Sequence, residues 1–426
     1  MNSNYLNILS KAKNPLVIAV GGGNDSVSTL LIQKQLQKTF GYNPDKITIV
    51  AMLPDCLEYI NTEETSNPLV TIITENTQRY VQGKLMNAFP ERILSQNKNA
   101  INSLNVIQVY GLLMSKGSTG VAHSLQYLIT QEKYDLILAM DVGGDFIAVP
   151  ENIEVLSPMM DAYMMYAFKY LKQNSKEFRD IPIIYGVFGL GTDGETTPKL
   201  LEKALENLNA YEGTFYEEDV KDVINFYRET VEPNRYSRTT DFTIREIQGV
   251  PHDNPAQFRG RFHVQTNNNE KSHVNYGTFE HYQDKKYFSK YYLFTNIDAV
   301  SNPFAISCNN GLEWFVNIQS KKNKINHELN GQSYNLKNII SFIEKDIFLF
   351  FGTPSRKFNT IQQEEIAEQI SLAVQNNIYD LVLVYEEQLP HFDGLIYEKV
   401  GNELLLVGKD LQLIRKVAFV IENYLA

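Results

Sequence analysis

The segment between residues 16 and 40 reads LVIAVGGGNDSVSTLLIQKQLQKTF, and it decides the fold that we predict. The five apolar residues at 16–20 form a short continuous run, which is typical of a strand covered on both faces. Three glycines follow, then Asn24, Asp25 and Ser26, and a helix pattern runs over 27–40. The segment is therefore a strand, a glycine-rich turn and a helix, the opening of a βαβ unit.

The same alternation continues through the first half of the chain. Further strand-like runs lie at 47–52, 70–73, 106–110, 136–140 and 183–188, and further helix patterns lie at 121–132, 159–172 and 198–208. Such alternation predicts an α/β fold with a doubly wound, mostly parallel, Rossmann-like sheet. Right-handed crossovers then place the loops that follow the strands at one edge of that sheet.

The character of the sequence changes after this half. We expect an α/β domain over 1–211, an arginine-rich mixed α+β region over 212–335 that packs on it, and a C-terminal α/β segment over 336–426. In the middle region, residues 258–265 alternate between apolar and polar and predict a strand, as do the aromatic residues at 287–295. The expected elements of the tail are strands at 347–351, 381–385 and 404–407 and helices at 361–375 and from Leu411.

Composition limits the classes of function. The chain has 426 residues, 43% of them hydrophobic, and a formal net charge of −11, which is the balance of a globular protein. The acidic surplus argues against nucleic acid as a partner, and no apolar run approaches the roughly 18 residues of a membrane span. Two distant cysteines and the lack of a signal-peptide cleavage site lead us to expect the cytoplasm. We expect a small-molecule ligand, no nucleic acid and no membrane, and the sequence leaves homo-oligomer formation open.

The first glycine loop has the features of an anion site. Glycine lets the backbone approach a ligand closely, and the start of the following helix presents free N–H groups and a positive dipole end. We therefore expect a cradle for a phosphate or carboxylate that is formed by Gly21, Gly22, Gly23, Asn24, Asp25 and Ser26. The alternative is a tight turn in which Asp25 or Ser26 only caps the helix.

This loop lacks the third glycine of a dinucleotide-binding fingerprint. It is more similar to the Gly-Gly-x-Asp-Ser loop of the ATP pyrophosphatases, the PP-loop enzymes, with Gly21 at the position where those enzymes have a serine.

Two more loops of glycine and acid follow predicted strands. They read DVGGD at 141–145 and GLGTDGE at 189–195. With the first loop, they would gather at the carboxyl edge of the sheet, where open α/β sheets bind ligands. We therefore expect four of their glycines to contact the ligand: Gly143, Gly144, Gly191 and Gly194.

Acidic side chains that converge at one edge need an opposing charge. Two carboxylates about 5 Å apart repel by about 3 kcal/mol at an effective dielectric constant near 20. A divalent cation, a cationic substrate, a bound proton or arginines would offset this repulsion. Oxygen ligands suit Mg²⁺ shared with substrate phosphates, so we expect Asp141, Asp145 and Asp193 to be metal ligands and, with Glu195, catalytic residues. The alternative is that each aspartate only caps its own turn.

Arginines are unevenly distributed along the chain. Six of the 11 lie between residues 228 and 261, and the planar guanidinium suits bidentate binding of phosphate or carboxylate. We expect Arg235 and Arg238, in a stretch rich in hydroxyl groups, to balance negative charge during the reaction. The alternative is a solvated basic stretch that pairs with the acidic surface. The first interpretation requires that this segment folds over the sheet edge.

Together these segments resemble the family known as domain of unknown function 1152. Its members have a glycine-rich loop near the N-terminus, an Asp-Val-Gly-Gly-Asp segment followed by Ser-Pro-x-x-Asp-Ala, and a Gly-x-Asp-Gly-Glu segment. The matching residues here are Gly21, Gly22, Gly23, Asp25, Asp141, Val142, Gly143, Gly144, Asp145, Ser157, Pro158, Asp161, Ala162, Gly191, Asp193, Gly194 and Glu195. The resemblance covers about the first 200 residues, implies a fold and a site, adds Asp161 to the candidates, and implies no reaction.

These expectations combine into a function. We expect a cytoplasmic enzyme that acts on a nucleotide or another phosphorylated small molecule by Mg²⁺-dependent adenylation or phosphoryl transfer, with ATP or another nucleotide bound. One alternative is a hydrolase or transferase for an amino- or guanidino-substrate, in which the carboxylates act as acid, base and cation clamp. Another is a non-catalytic protein that binds a metabolite in the acidic cleft.

Overall fold

A computed structural model describes most of the first 309 residues and three short segments of the tail. The described residues are 2–53, 58–81, 84–86, 88–98, 100–101, 104–149, 159–192, 198–231, 238–250, 263–265, 271–273, 285–309, 380–385, 395–400 and 403–408.

Helices and strands alternate along the described residues. In chain order they are α1 (Asn2–Leu9), β1 (Pro15–Ala19), α2 (Asn24–Phe40), β2 (Ile47–Leu53), β3 (Glu58–Ile60), β4 (Glu63–Glu64), β5 (Val70–Ile72), β6 (Gln78–Val81), β7 (Lys84–Met86), α3 (Pro90–Gln96), β8 (Val106–Leu113), α4 (Gly117–Gln131), β9 (Leu136–Val142), α5 (Met159–Asn174), α6 (Lys176–Asp180), β10 (Ile183–Phe188), α7 (Pro198–Glu206), β11 (Tyr211–Thr214), α8 (Glu217–Phe226), α9 (Arg238–Gln248), β12 (His263–Gln265), β13 (Lys271–His273), β14 (Lys290–Phe294), β15 (Asp380–Tyr385), β16 (Leu395–Val400) and β17 (Glu403–Gly408). Short 3₁₀ helices cover Asp145–Ile147, Lys285–Tyr287 and Ile297–Ala299, and one π-helical turn covers Tyr227–Val231.

The main sheet is doubly wound, as predicted. Among the described residues it has nine strands in the order β11-β14-β10-β9-β1-β2-β8-β5-β4. The central strands β10, β9, β1, β2 and β8 are parallel to one another. The chain lays down β1, β2 and β8 toward one side and then β9 and β10 toward the other, so the strand order reverses between β1 and β9. This is the Rossmann-like arrangement that the alternating pattern indicates.

Both faces of the sheet are covered, which explains the continuous apolar runs. Every residue of β1, β2 and β9 is buried. One hydrophobic core joins the sheet to α4, α5 and α7, and a second joins its other face to α1, α2, α3, α8 and α9. None of the described helices is both long enough and apolar enough to cross a lipid bilayer.

The outer strands differ from the expectation of parallel pairing. The strand expected at 70–73 is β5, and it runs antiparallel to β8. The described residues between β2 and β5 form two short strands and no helix, whereas a parallel return needs a long crossover connection. A second small antiparallel sheet, β3-β6-β7, belongs to the same insertion between β2 and β8 and was not expected from the sequence.

The middle region contributes to the main sheet. The aromatic strand expected at 287–295 is β14, which pairs antiparallel with β10 on one side and β11 on the other. The expected boundary at 211/212 falls inside β11, and this region also forms α8 and α9, which weak periodicity did not indicate. The alternating segment at 258–265 is described only as β12, which pairs with β13.

The described part of the tail is a three-stranded antiparallel sheet. β15 and β17 correspond to the strands expected at 381–385 and 404–407, and β16, which was not expected, pairs with β17. The strand expected at 347–351 and the two expected helices lie outside the described residues.

Candidate functional site

Three buried aspartates meet where the strand order reverses. Asp141 is in β9, Asp25 is in the first turn of α2 after β1, and Asp161 is in the first turn of α5. One carboxylate oxygen from each lies within 4.8 Å of the other two. The helices α2 and α5 pack on opposite faces of the sheet, so the crevice between β1 and β9 receives one carboxylate from each face and one from a strand end.

Burial makes this cluster electrostatically unfavourable when all three groups are charged. Asp161 is only 6% exposed. Its burial raises the pKa of that carboxyl well above the ordinary value, and the nearby charges of Asp141 and Asp25 and a hydrogen bond with Asp141 raise it further. Two carboxyl groups share a hydrogen bond when one of them carries a proton, and the raised pKa of Asp161 favours the protonated form of that carboxyl. Its second oxygen, Oδ1, is buried with no hydrogen-bond partner among the described residues.

The first glycine loop lies against the cluster. The Gly21 amide donates to Asp25 Oδ2 at 2.8 Å. A Cβ atom on Gly21 would lie 2.8 Å from that oxygen and 3.3 Å from Asp161 Oδ2, so the missing side chain leaves the space beside both carboxylates. Gly22 has φ +67°, and a Cβ there would clash with the Met52 carbonyl. Glycine is therefore required at position 22, and at position 21 a side chain would displace the Asp25 carboxylate.

The described amides of this loop bind acceptors from the chain itself. Gly22 N donates to Ala19 O, while Asp25 N and Ser26 N donate to the carbonyls of Gly22 and Gly23. The Ser26 hydroxyl also donates to the Gly23 carbonyl. The side chain of Asn24 lies outside the described residues. The cradle for an external anion stays a prediction, and in this structure the amide positions are held by turns and carboxylates.

One of those acceptors is a carboxylate from a distant element. Gly23 N donates to Glu91 Oε1 at 2.8 Å, and Glu91 is in the first turn of α3. Nothing in the sequence pointed to Glu91, because a Phe-Pro-Glu stretch predicts a helix start and no more. Asp161, by contrast, was a candidate through the family resemblance.

The second and third loops adjoin each other at the same edge. Gly191 N donates to Gly143 O at 2.7 Å, and Gly143 N donates to Phe188 O. Gly143, Gly144 and Gly191 all have positive φ. The expected convergence of these loops therefore holds for their described residues. Asp193, Gly194 and Glu195 lie outside the described residues.

Asp145 lies close to the cluster in sequence but outside it in the structure. It is buried at the start of the 3₁₀ helix after β9, and it is not in the group of three carboxylates. The turn that holds it is stabilised by Phe146 N, which donates to Asp141 Oδ2, and by Asn302 Nδ2, which donates to the Asp145 and Phe146 carbonyls at 3.0 Å each. Of the expected metal ligands, Asp141 is in the group.

The arginine-rich segment reaches the sheet edge through α9. The Thr240 hydroxyl hydrogen-bonds to Ser28 on α2, and a Cβ atom on Gly189 would lie 2.5 Å from Thr243 Oγ1. Two of the arginines bind one acid in this structure: Arg228 and Arg245 contact Asp241 at 2.6 and 3.0 Å. Arg235 lies outside the described residues, and of Arg238 the structure describes the backbone at the start of α9.

Comparison with known proteins gives the family. The chain belongs to the family described as "Protein of unknown function (DUF1152)", whose model matches residues 16–233. This confirms the resemblance based on the three loops. Neither a curated protein nor a solved structure matched the chain. The likeness of the first loop to the PP-loop enzymes has no support in these comparisons and stays a prediction.

Proposed function

We propose that the protein is a cytoplasmic enzyme that binds a divalent cation, Mg²⁺ in the cell, and acts on a nucleotide or another phosphorylated small molecule. The observation that carries this proposal is the group of Asp25, Asp141 and Asp161 at the reversal of strand order. Ligands of open α/β sheets bind at this place, outside the carboxyl ends of the strands.

The three carboxylates fit a small hard cation. Mg²⁺ binds oxygen at about 2.0–2.1 Å in octahedral geometry, so adjacent ligand oxygens lie about 2.9 Å apart and opposite ones about 4.2 Å apart. The three oxygens are within 4.8 Å of one another, and the side chains would move closer together to hold one ion. The unpartnered Asp161 Oδ1 offers a further acceptor. The two charged groups that raise the Asp161 pKa, Asp141 and Asp25, are both acidic. A bound cation would offset their negative charge in place of a proton on Asp161.

The remaining parts of the site would serve the substrate. A bound Mg²⁺ would bridge phosphate oxygens and neutralise charge that develops on them. Asp25, Asp141 and Asp161 would hold the ion, and Gly21, by lacking a side chain, would leave room beside them. Asp193, Glu195, Arg235 and Arg238 remain candidates for contacts with the substrate. Metal ions and arginines stabilise the charge that develops in adenylation and in phosphoryl transfer.

Metal titration tests the proposal directly. Isothermal titration of the wild-type protein with Mn²⁺ and Mg²⁺ should show one site per chain, and Asp141→Asn should weaken binding more than about tenfold. Asp180→Asn, which removes an exposed carboxylate on α6, is the matched control and should bind as the wild type does. A second titration with ATP should show binding that depends on the metal and is lost in Asp141→Asn. Metal binding that is absent, or equal in both variants, would refute the proposal.

A cationic substrate group would offset the same charges. This second candidate, an amino- or guanidino-substrate or metabolite, rests on the same acidic group. Titration with arginine and with spermidine in the presence of EDTA distinguishes it. If the wild type binds arginine or spermidine, Asp141→Asn does not, and neither protein binds a metal, this alternative would replace the proposal of a metal-dependent enzyme. Turnover then separates an enzyme from a binding protein.

A further inference from the structure

Glu91 is a buried carboxylate whose hydrogen-bonding capacity the described residues do not fill. It is 1% exposed, its Oε1 accepts from Gly23 N at 2.8 Å, and its Oε2 has no hydrogen-bond partner among the described residues. Buried carboxylates normally satisfy both oxygens. An arrangement that leaves one oxygen without a partner calls for a reason other than stability.

The amide that Glu91 accepts from is at the start of a long helix. Gly23 is the N-cap of the 17-residue α2, with no side-chain cap, so its N–H lies at the positive end of the helix dipole. A Cβ atom on Gly23 would meet no described atom within 4 Å. None of the described residues therefore fills the space beside Gly23 on its Cβ side.

The guanidinium of Arg79 acts electrostatically on Glu91. Burial raises the pKa of Glu91, and the charge of Arg79 on β6 lowers it. The Arg79 guanidinium packs over the Phe89 ring at 4.9 Å from the centroid, which orients it. A helix N-terminus and an arginine are the two donors that proteins use most often to hold phosphate.

We propose that Gly23 N–H and Arg79 form the binding site for a phosphate group of the ligand, and that Glu91 occupies this site until the phosphate displaces it. The carboxylate has the charge and the hydrogen-bonding geometry of one edge of a phosphate. The identity of the phosphate as part of the substrate rests on the proposed function; the anion site itself does not involve the three aspartates.

Removing the charge of Glu91 tests this site. Glu91→Gln keeps the size of the side chain and removes the negative charge that competes with the ligand, so inorganic pyrophosphate should bind about tenfold tighter or more by isothermal titration. The titration is done in EDTA, so that its outcome is independent of any metal site. The matched control is Glu75→Gln, an exposed glutamate of the same insertion, which should bind pyrophosphate as the wild type does.

Replacing the arginine gives the opposite expectation. Arg79→Gln should weaken pyrophosphate binding about tenfold or more. Arg92→Gln is its control, because Arg92 donates to the Glu75 carbonyl and takes no part in the proposed site. If Glu91→Gln fails to fold, hydrogen–deuterium exchange on the wild-type protein replaces it: pyrophosphate should protect the peptide that contains residues 21–26.

The proposal has clear failing outcomes. Pyrophosphate binding that is absent from both the wild type and Glu91→Gln, or that is unchanged or weaker in Glu91→Gln, would overturn it, as would full binding by Arg79→Gln. None of these results would change the comparison of Mn²⁺ binding between the wild type and Asp141→Asn. Failure of the anion site is therefore distinguishable from failure of the proposed metal site.

Discussion

The Asp161→Asn substitution should stabilise the metal-free protein while it weakens the binding of a divalent cation. The three carboxylates lie within 4.8 Å of one another, and one fully charged pair at that distance repels by about 3 kcal/mol at an effective dielectric constant of 20. The raised pKa of Asp161 favours a proton on that carboxyl, which removes this repulsion in the wild-type protein. Asparagine is neutral, and its amide can still donate to Asp141.

The effect has a definite dependence on pH. A carboxyl whose pKa is higher in the folded than in the unfolded state binds its proton more tightly when folded. Its contribution to stability is therefore complete below the ordinary carboxyl pKa of 3.8 and is lost as the pH rises through the raised folded value. Asparagine does not titrate, so the variant loses no stability from this position as the pH rises. The advantage of Asp161→Asn should be absent near pH 3.8 and grow with rising pH.

Thermal unfolding in EDTA measures this advantage. Near pH 8, about 3 kcal/mol corresponds to a rise in Tm of roughly 3–4 °C for a chain of 426 residues. Adding Mn²⁺ should raise the Tm of the wild type by ligand linkage and raise that of the variant much less. Asp180→Asn is the control for an exposed carboxylate. A variant that is less stable than the wild type in EDTA near pH 8, or that gains as much from Mn²⁺, would refute the electrostatic argument.

Three other substitutions have defined outcomes. Gly21→Ala places a methyl group 2.8 Å from Asp25 Oδ2 and 3.3 Å from Asp161 Oδ2, so Mn²⁺ titration should show binding weakened more than about tenfold; unchanged affinity would contradict this. Asn302→Ala removes the two hydrogen bonds that the side-chain amide donates to buried carbonyls. It should lower the free energy of unfolding, measured in urea, by about 1–3 kcal/mol, and an unchanged free energy of unfolding would contradict this. Asp241→Asn removes the charge that two arginines bind and should destabilise by about 2–4 kcal/mol, measured by the same unfolding experiment; a loss under about 0.5 kcal/mol would show that other contacts hold them.

The sequence predicts the central sheet because the physical cause is local. A strand buried on both faces must be largely apolar, and β1, β2, β9 and β10 are such runs. The outer strands depend on distant pairing instead. β5 is apolar enough to resemble a parallel strand, and its antiparallel direction follows from the insertion that precedes it. Nothing near β14 specifies that it inserts between β10 and β11.

The same contrast between local patterns and distant contacts applies to the residues of the candidate site. Asp141 could be predicted because it follows a buried strand, and Asp25 because it follows a glycine turn. Asp161 reaches the cluster from a helix on the opposite face, and the family motif was the one sequence feature that indicated it. Glu91 contacts Gly23 across 68 positions of sequence, from an insertion whose small sheet has weak periodicity. Contacts of this kind follow from the packing of whole elements, which no local pattern encodes.

The position of β14 has a consequence for how the family segment can be studied. The family model matches residues 16–233, whereas β14 comprises residues 290–294 and separates β10 from β11. A fragment that ended at residue 233 would lack β14, so β10 and β11 would lose the hydrogen bonds that they form with it. Unpaired strand edges of this kind promote aggregation. Tyr5 would also lose the Leu293 carbonyl to which it donates. The stretch of sequence that the family model covers is thus shorter than the stretch that must be expressed to obtain the complete sheet.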